Sequence, residues 1–343
     1  MIDHSNLIMQ GMRKRKYRAI IAVSVLVVIV LVLMACMLIF GNTQYSLDVI
    51  VRTLLGEEIQ GAKFAVMTIR LPRMLAGLLV GISLGIAGNL FQKMLHNPLA
   101  SPDIIGVSSG SSVAAVFCIL ILNMSGFGVS LAAVISGLVV TMLVYALSSI
   151  GKFSGGRLIL IGIGIQAMVN AIISYLLLKA NQYEVSGAMR WLSGSLNGVQ
   201  MKNIPLLAVV VIVFVTIILA LQKHLKAMEL GDDLAIILGI RVNYIRIALM
   251  ISAVILIAFS TAVTGPISFV AFLAGPIAQR LVGSGQSNSI ASACVGAILV
   301  LGGDLIGQFF FTTRFPVGVI TGILGAPYLL ILLIQLNRSG GTS

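Results

Sequence analysis

The side chains in this sequence that could do chemistry are few and far apart. Asp103 and Asp304 are the acidic residues closest to long apolar runs, each near the end of one. An ionisable group at membrane depth is costly and is kept for a purpose such as a proton or sodium relay. Two carboxylates near span ends support such a relay only thinly. His4, His96 and His224 are scattered, and Cys36, Cys118 and Cys294 lie inside apolar stretches with no CxxC or Cys/His pairing. They point to no metal site and no cofactor, and the cysteines read as small buried hydrophobes. There is no paired carboxylate, Ser/His/Asp set or HExxH, so catalysis within a membrane has no candidate machinery. A GxxxxGK[ST] phosphate loop is also missing, which excludes ATP hydrolysis by that route.

The elements that must position these residues are almost entirely apolar. Hydrophobic residues make up 59% of the chain and charged residues only 9%, against roughly 25% charged in a soluble domain. Too few polar residues exist to cover a core of this size, and lipid is the solvent that tolerates an apolar surface. The net charge of +12 does not point to nucleic acid, because the basic residues form no stripe and sit in short gaps between apolar runs, as cytoplasmic loops do. Arg13-Lys14-Arg15-Lys16-Tyr17-Arg18 precedes an apolar run from Ala19 to Phe40. Leu33-Met34-Ala35-Cys36 faintly resembles a lipoprotein cleavage box, but the run exceeds a signal-peptide core and continues past the cysteine, so a retained first span is expected.

Apolar runs near 19–40, 74–95, 104–123, 129–149, 158–179, 203–222, 245–264, 267–282, 289–310 and 317–336 predict about ten membrane helices. Those near 104–123 and 267–282 carry Gly and Ser and are expected to be short, broken or buried. The fold class is thus an all-α integral membrane protein: a basic cytoplasmic N-terminus over 1–18, one polytopic domain over 19–338 and a tail over 339–343. With both termini cytoplasmic, Lys and Arg divide about fourteen inside to eight outside. The outside set, which includes Arg70, Arg73 and Arg314, needs a reason. Gly77, Gly81, Gly85 and Gly88 recur along one helix and would let a neighbouring backbone approach closely.

Four blocks stand out in order. The first runs from Arg70-Leu71-Pro72-Arg73 through Gly88 and Gln92 to His96-Asn97-Pro98-Leu99-Ala100-Ser101-Pro102 and Ile105-Gly106-Val107-Ser108-Ser109-Gly110. The second is Glu229-Leu230-Gly231-Asp232-Asp233-Leu234-Ala235 with Leu238-Gly239-Ile240. The third is Gly265-Pro266-Ile267-Ser268-Phe269-Val270, leading to Pro276 and Arg280-Leu281-Val282-Gly283. The fourth is Phe315-Pro316-Val317-Gly318-Val319 with Thr321-Gly322 and Leu324-Gly325-Ala326-Pro327. Together they resemble, over roughly residues 20–336, the FecCD/BtuC-type permeases, membrane subunits of the iron–siderophore, haem and vitamin B12 ABC importers.

Each block also has a physical reading. Pro72 breaks the helix ladder and sets Arg70 and Arg73 at the mouth of the second span. They either snorkel to lipid phosphates or, as the resemblance implies, offer a cationic platform to acidic residues of a substrate-binding protein. Asn97-Pro98 and Ser101-Pro102 end one helix and start another, a tight turn that the resemblance places near the translocation wall. The segment 223–246 combines charge with Leu230, Leu234, Ile237 and Leu238 at helical spacing, bracketed by Gly231 and Gly239. A helix packed on its own bundle is one reading; the resemblance implies an ATPase-coupling segment, with Glu229, Gly231, Asp232, Asp233, Leu238 and Gly239 in it. Phe153-Ser154-Gly155-Gly156-Arg157 is either a flexible loop or, by resemblance, a cytoplasmic gate at a dimer axis formed by Ser154 and Gly155. Trp191 reads as an interfacial anchor.

Three departures from the family pattern concern the outer face and span ends: Pro276-Ile277 where Pro-His is common, Arg314-Phe315-Pro316 where Glu-Leu-Pro is common, and Gln308 at an arginine position. Arg314 then becomes a third docking candidate, or a paralogous sister permease supplies the usual residues. The resemblance implies a BtuC-like type II ABC importer permease in a bacterial cytoplasmic membrane, itself not an enzyme. Its partners would be two ATP-binding subunits, a periplasmic or lipoprotein binding protein and a second permease copy, identical or paralogous. A ferric siderophore would be the cargo, with haem or cobalamin as alternatives. An ion-coupled secondary carrier using Asp103 or Asp304, and a non-transporting scaffold or receptor, are the readings from other classes.

Overall fold

In the computed structural model the backbone is described for residues 4–150, 154–283 and 287–340. Every regular element among these residues is helical. The chain opens with α1 (His4–Ile39), which runs unbroken through the basic cluster, and α2 (Leu47–Leu54). A π-helical turn, Phe64–Arg70, leads into α3 (Leu71–Met94), and a 3-10 turn, Pro102–Ile105, leads into α4 (Val107–Leu120). Then follow α5 (Phe127–Ser148), α6 (Gly155–Lys179), α7 (Gln182–Leu192) and α8 (Ile204–Ala220). Two short helices, α9 (Gln222–Met228) and α10 (Asp232–Ile237), precede α11 (Val242–Thr264), α12 (Val270–Val282), α13 (Ser289–Phe309) and α14 (Val317–Gly340).

Seven of these helices, some extended by the turns before them, are long and apolar enough to cross a membrane: Arg13–Ile39, Phe64–Met94, Phe127–Ser148, Gly155–Lys179, Met201–Ala220, Val242–Thr264 and Ser289–Phe309. Three shorter apolar helices, Val107–Leu120, Val270–Val282 and Val317–Leu332, lie where the remaining expected spans fall. α12 is short because most of its residues, from Val270 to Pro276, are buried in the bundle. A helix surrounded by protein need not match the lipid thickness.

One expectation is corrected. The second span does not begin at Pro72; its helix starts about two turns earlier, at Phe64. Proline lacks an N–H, and its ring clashes with the carbonyl four residues back. The widened π turn, in which the Leu71 N–H reaches the carbonyl of Val66, absorbs that clash, so the helix continues instead of breaking.

α3 is the hub, packing on α13, α12, α11 and α8. Its glycine face is the reason. A Cβ at Gly81 would lie 2.5 Å from the Cα of Ala297, one at Gly85 would overlap the carbonyl oxygen of Ser292, and one at Gly88 that of Ala271. α3 therefore meets α13 and α12 backbone to backbone. Gly88→Val should abolish recovery of folded protein, since the clash falls on main chain and exceeds the ~1–3 kcal/mol of ordinary overpacking. Gly164→Ala, where nothing lies within 4 Å of the added methyl, should leave it intact. Size-exclusion profiles of the two detergent-solubilised variants decide the matter.

Side chains and backbone also staple the bundle ends. Arg18 donates to the carbonyls of Arg280 (2.9 Å) and Leu281 (3.2 Å), capping the exposed carbonyl end of α12 as a cation at a helix C-terminus does. At the opposite end, the Ser195 N–H meets the Thr264 carbonyl (2.7 Å) and the Gly318 N–H meets the Gly194 carbonyl (3.0 Å). Side chains at Gly194, Gly265 or Gly318 would overlap the carbonyls of Pro266, Trp191 and Ser193 respectively. Trp191 is half-buried against the main core, more a packing residue than an interfacial anchor.

Candidate functional site

The three arginines expected on the outer face have different duties. Arg70 is only 8% exposed. Its guanidinium donates to the carbonyls of Leu38 (2.7 Å), Ile39 (2.9 Å) and Thr43 and stacks on Tyr45 at 5.2 Å. These are the orphan carbonyls of α1's last turn and of the loop beyond it, and Gly41 leaves the room that the guanidinium fills. Arg73 makes a two-pronged pair with Asp304, 2.7 Å on each arm. The Gln308 amide donates to the same carboxylate at 2.7 Å. The pair is buried: the Asp304 side chain is 1% exposed. Both arginines expected to form a cationic docking platform are thus engaged inside the molecule.

Arg314 is exposed and donates to the neutral Oδ1 of Asn42. Two other cations expected outside have acidic partners: Arg52 pairs with Glu57 (2.7 Å) and Asp48 (3.7 Å). Lys63 pairs with Glu58, whose carboxyl it holds below the ordinary value by hydrogen bond and charge. The three arginines are linked in support. Arg70 fixes the 38–43 loop that offers Asn42 to Arg314, and Asp304 and Gln308 anchor the end of α13 from which the Arg314 loop departs.

Along α6 the side chains of Asn170 and Ser174 are exposed near mid-span, on one stripe with Ile163 and Ala167. A polar group facing hydrocarbon at that depth is costly; this face suits water or a protein neighbour. Ser154, exposed, is the N-cap of α6, and Gly155 sits with its Cα beside Leu95 at the end of α3. Phe153 lies outside the described residues.

The segment between α8 and α11 presents the third feature. α10 lies between Gly231 (φ 111°) and Gly239 (φ 80°). Its end closes with Gly239 N–H to Ile236 (2.9 Å) and Ile240 N–H to Ala235 (3.0 Å), a left-handed glycine stop. Leu230, Leu234, Ile236, Ile237 and Leu238 are exposed, Ile237 by 79%. Asp232 holds the short helix to α11 through Arg246 at 2.6 and 2.7 Å. Glu229 reaches Lys93 at 3.3 Å, and its carbonyl meets the His96 ring at 3.2 Å. Asp233 and Leu238 are exposed.

Asp103 is held by the hydroxyls of Ser108 and Ser101 (3.4 Å), and Asp304 by Arg73 and Gln308. Both carboxylates therefore have local partners, as structural groups do. No cluster of three or more His, Cys, Asp or Glu among the described residues could hold a metal. Sequence reasoning missed Arg18, the Glu229–Lys93 link and Gln308 as a carboxylate donor; only the last had a signal, its departure from the family pattern.

The molecule is a polytopic all-α bundle with an exposed apolar helix at one end and an exposed arginine at the other, and its class is that of a membrane transport permease. The chain belongs to the FecCD transport family, whose model matches residues 19–335. It is 37% identical over 286 residues to the ferric enterobactin transport system permease protein FepG of Escherichia coli (strain K12), covering 83% of this chain and 87% of that protein. It is 35% identical over 324 residues to the Fe(3+)-citrate import system permease protein YfmE of Bacillus subtilis (strain 168), covering 94% and 96%. The cobalamin import system permease protein BtuC of Halobacterium salinarum is 34% identical over 275 residues, 79% of this chain and 74% of that protein. The fold matches a solved inward-facing transporter of the metal-chelate ABC type with TM-score 0.80 and 24% identity, over 91% of this chain and 98% of that one.

Proposed function

We propose that this chain is the permease subunit of an ABC importer that moves a ferric siderophore into the cytoplasm, driven by ATP hydrolysis on two separate ATPase subunits. The observation that carries the reading is α10: a short, glycine-bounded helix with five large apolar side chains exposed in and beside it. Such a surface on a polar end of a membrane protein marks a protein partner. Glu229, Gly231, Asp232, Asp233, Leu238 and Gly239 shape and hold that surface, which couples the ATPases to the bundle. The chain itself performs no covalent chemistry.

The permease pairs with a second copy, identical or paralogous, with the exposed polar stripe of α6 bordering the pathway. Ser154 and Gly155 form the cytoplasmic gate, where small side chains let two loops meet. Both termini are cytoplasmic, in the inner membrane of a bacterium. The domain over 19–338 works as one body. On the outer face the binding protein docks at Arg314, with Arg70 and Arg73 positioning the loops that present it. Arg314→Glu should slow docking about tenfold at low salt and less at high salt, as for an exposed steering charge. Stopped-flow binding of the substrate-loaded binding protein measures it, and an unchanged rate removes Arg314 from the docking face.

Iron-chelate transport is supported by the iron-importing relatives at 35–37% identity. The decisive experiment is uptake of radiolabelled ferric siderophore in cells lacking their own permease, with and without functional ATPase subunits. ATP-dependent uptake is expected. Uptake of haem or cobalamin instead would reassign the cargo. Uptake that survives loss of the ATPases and collapses with a protonophore would establish an ion-coupled carrier.

A further inference from the structure

The cytoplasmic end of α3 carries a polar junction that the coupling surface alone does not require. Ser289, the first residue of α13 and 3% exposed, accepts two hydrogen bonds on its Oγ. One comes from the Asn89 amide of α3 (3.2 Å), the other from the Gln222 amide at the start of α9 (2.9 Å). One turn further along α3, the Gln92 amide donates to the Phe272 carbonyl of α12 (2.9 Å), and a side chain at Gly275 would overlap its Oε1. Lys93 and His96 then grip Glu229 just past the other end of α9. α9 is therefore pinned to α3 near both ends, at its start through Ser289 and at its end directly.

A buried polar group is expensive unless paired, and a helix-packing contact here needs no amides. Beside the junction, the Oδ1 of Asn288 is buried with no hydrogen-bond partner. A packed hydrogen-bond network that joins rigid helices is the kind of element that transmits displacement between sites.

We infer that Ser289, with Asn89 and Gln222, is a positioning junction that makes α9 a strut, carrying motion of the ATPase-side helix α10 into α3 and thence into α12 and α13. This rests on the coupling role proposed for α10. Motion delivered to α3 reaches the bundle's hub, whereas the Asp232–Arg246 link reaches α11 alone.

The test uses the complete importer, permease with ATPases and binding protein, reconstituted in lipid. Ser289→Ala and Gln222→Leu, singly and together, should retain the ATPase subunits and hydrolyse ATP within about twofold of the parent. Transport per ATP should fall about fivefold in each, the effect of the one hydrogen bond that both changes remove, Gln222 to Ser289. The double variant should fall no further, because both changes cut one path. Gln222 is half-buried and tolerates leucine's volume, so it carries the test if Ser289→Ala fails to fold. A purely structural role would lower the melting temperature and leave transport per ATP unchanged, and that result overturns the inference. Singles whose effects multiply in the double also overturn it. Failure of the underlying coupling role shows separately, as ATPases that stay bound when the apolar face of α10 is made acidic.

Discussion

Asp304→Ala costs the protein about 3–5 kcal/mol, the penalty for stranding one member of a buried ion pair, and lowers its melting temperature in detergent accordingly. The substitution leaves the Arg73 guanidinium and the Gln308 amide facing an empty site between α3 and α13. These are the two helices whose glycine faces already meet backbone to backbone, so little room exists for water or rearrangement to compensate. Arg73→Met together with Asp304→Leu recovers most of the loss, because an apolar pair of similar volume removes both charges at once. Melting curves and uptake assays on the same two variants separate two roles for the carboxylate. A structural Asp304 gives a stability loss that the double variant repairs, along with transport. A proton-relay Asp304 gives a double variant that is stable and inactive.

The second large effect lies on the other end of the molecule. Leu234→Asp with Ile237→Asp places two carboxylates on a surface exposed by 52% and 79% in the isolated chain. The permease fold has no stake in these side chains, so expression and melting temperature stay at parent values. In the proposed complex both become buried, and burying unpaired charge is prohibitive. The ATPase subunits therefore bind at least about a hundredfold more weakly and are lost on affinity purification. Retention of the ATPases at parent stoichiometry removes α10 from the interface.

The two predictions draw on parts of the molecule that were unequally readable. The spans were legible because lipid imposes length and apolarity on each one independently. Even the shortness of α4 and α12 showed in their Gly and Ser content. α10 was legible because two glycines bound an amphipathic stretch. The π turn before Pro72 was not, since a proline in a sequence says only that a ladder bond is missing and not how the backbone absorbs it. α7 escaped because eleven residues of low overall apolarity are too short and too polar to read as a span. The duties of Arg70 and Arg73 escaped for a different reason. An arginine's role depends on what faces it, and Asp304 is 231 residues from Arg73 in the chain. Asn42, whose contact makes Arg314 a supported charge, is likewise 272 residues away.

The meeting of Trp191–Ser195, Thr264–Pro266 and Gly318 at the end of the bundle away from α10 has a consequence for how such a protein can diversify. The strands of chain touch there through carbonyls and α-carbons, with glycine on each side of the contact. A joint made of main chain alone cannot be retuned by exchanging side chains: every larger residue pushes the pieces apart. Adaptation to a bulkier or smaller cargo must bypass this point, by changing the lengths of the loops that enter it or the side chains along α6. Libraries built to alter cargo choice should leave Gly194, Gly265 and Gly318 untouched and spend their diversity elsewhere.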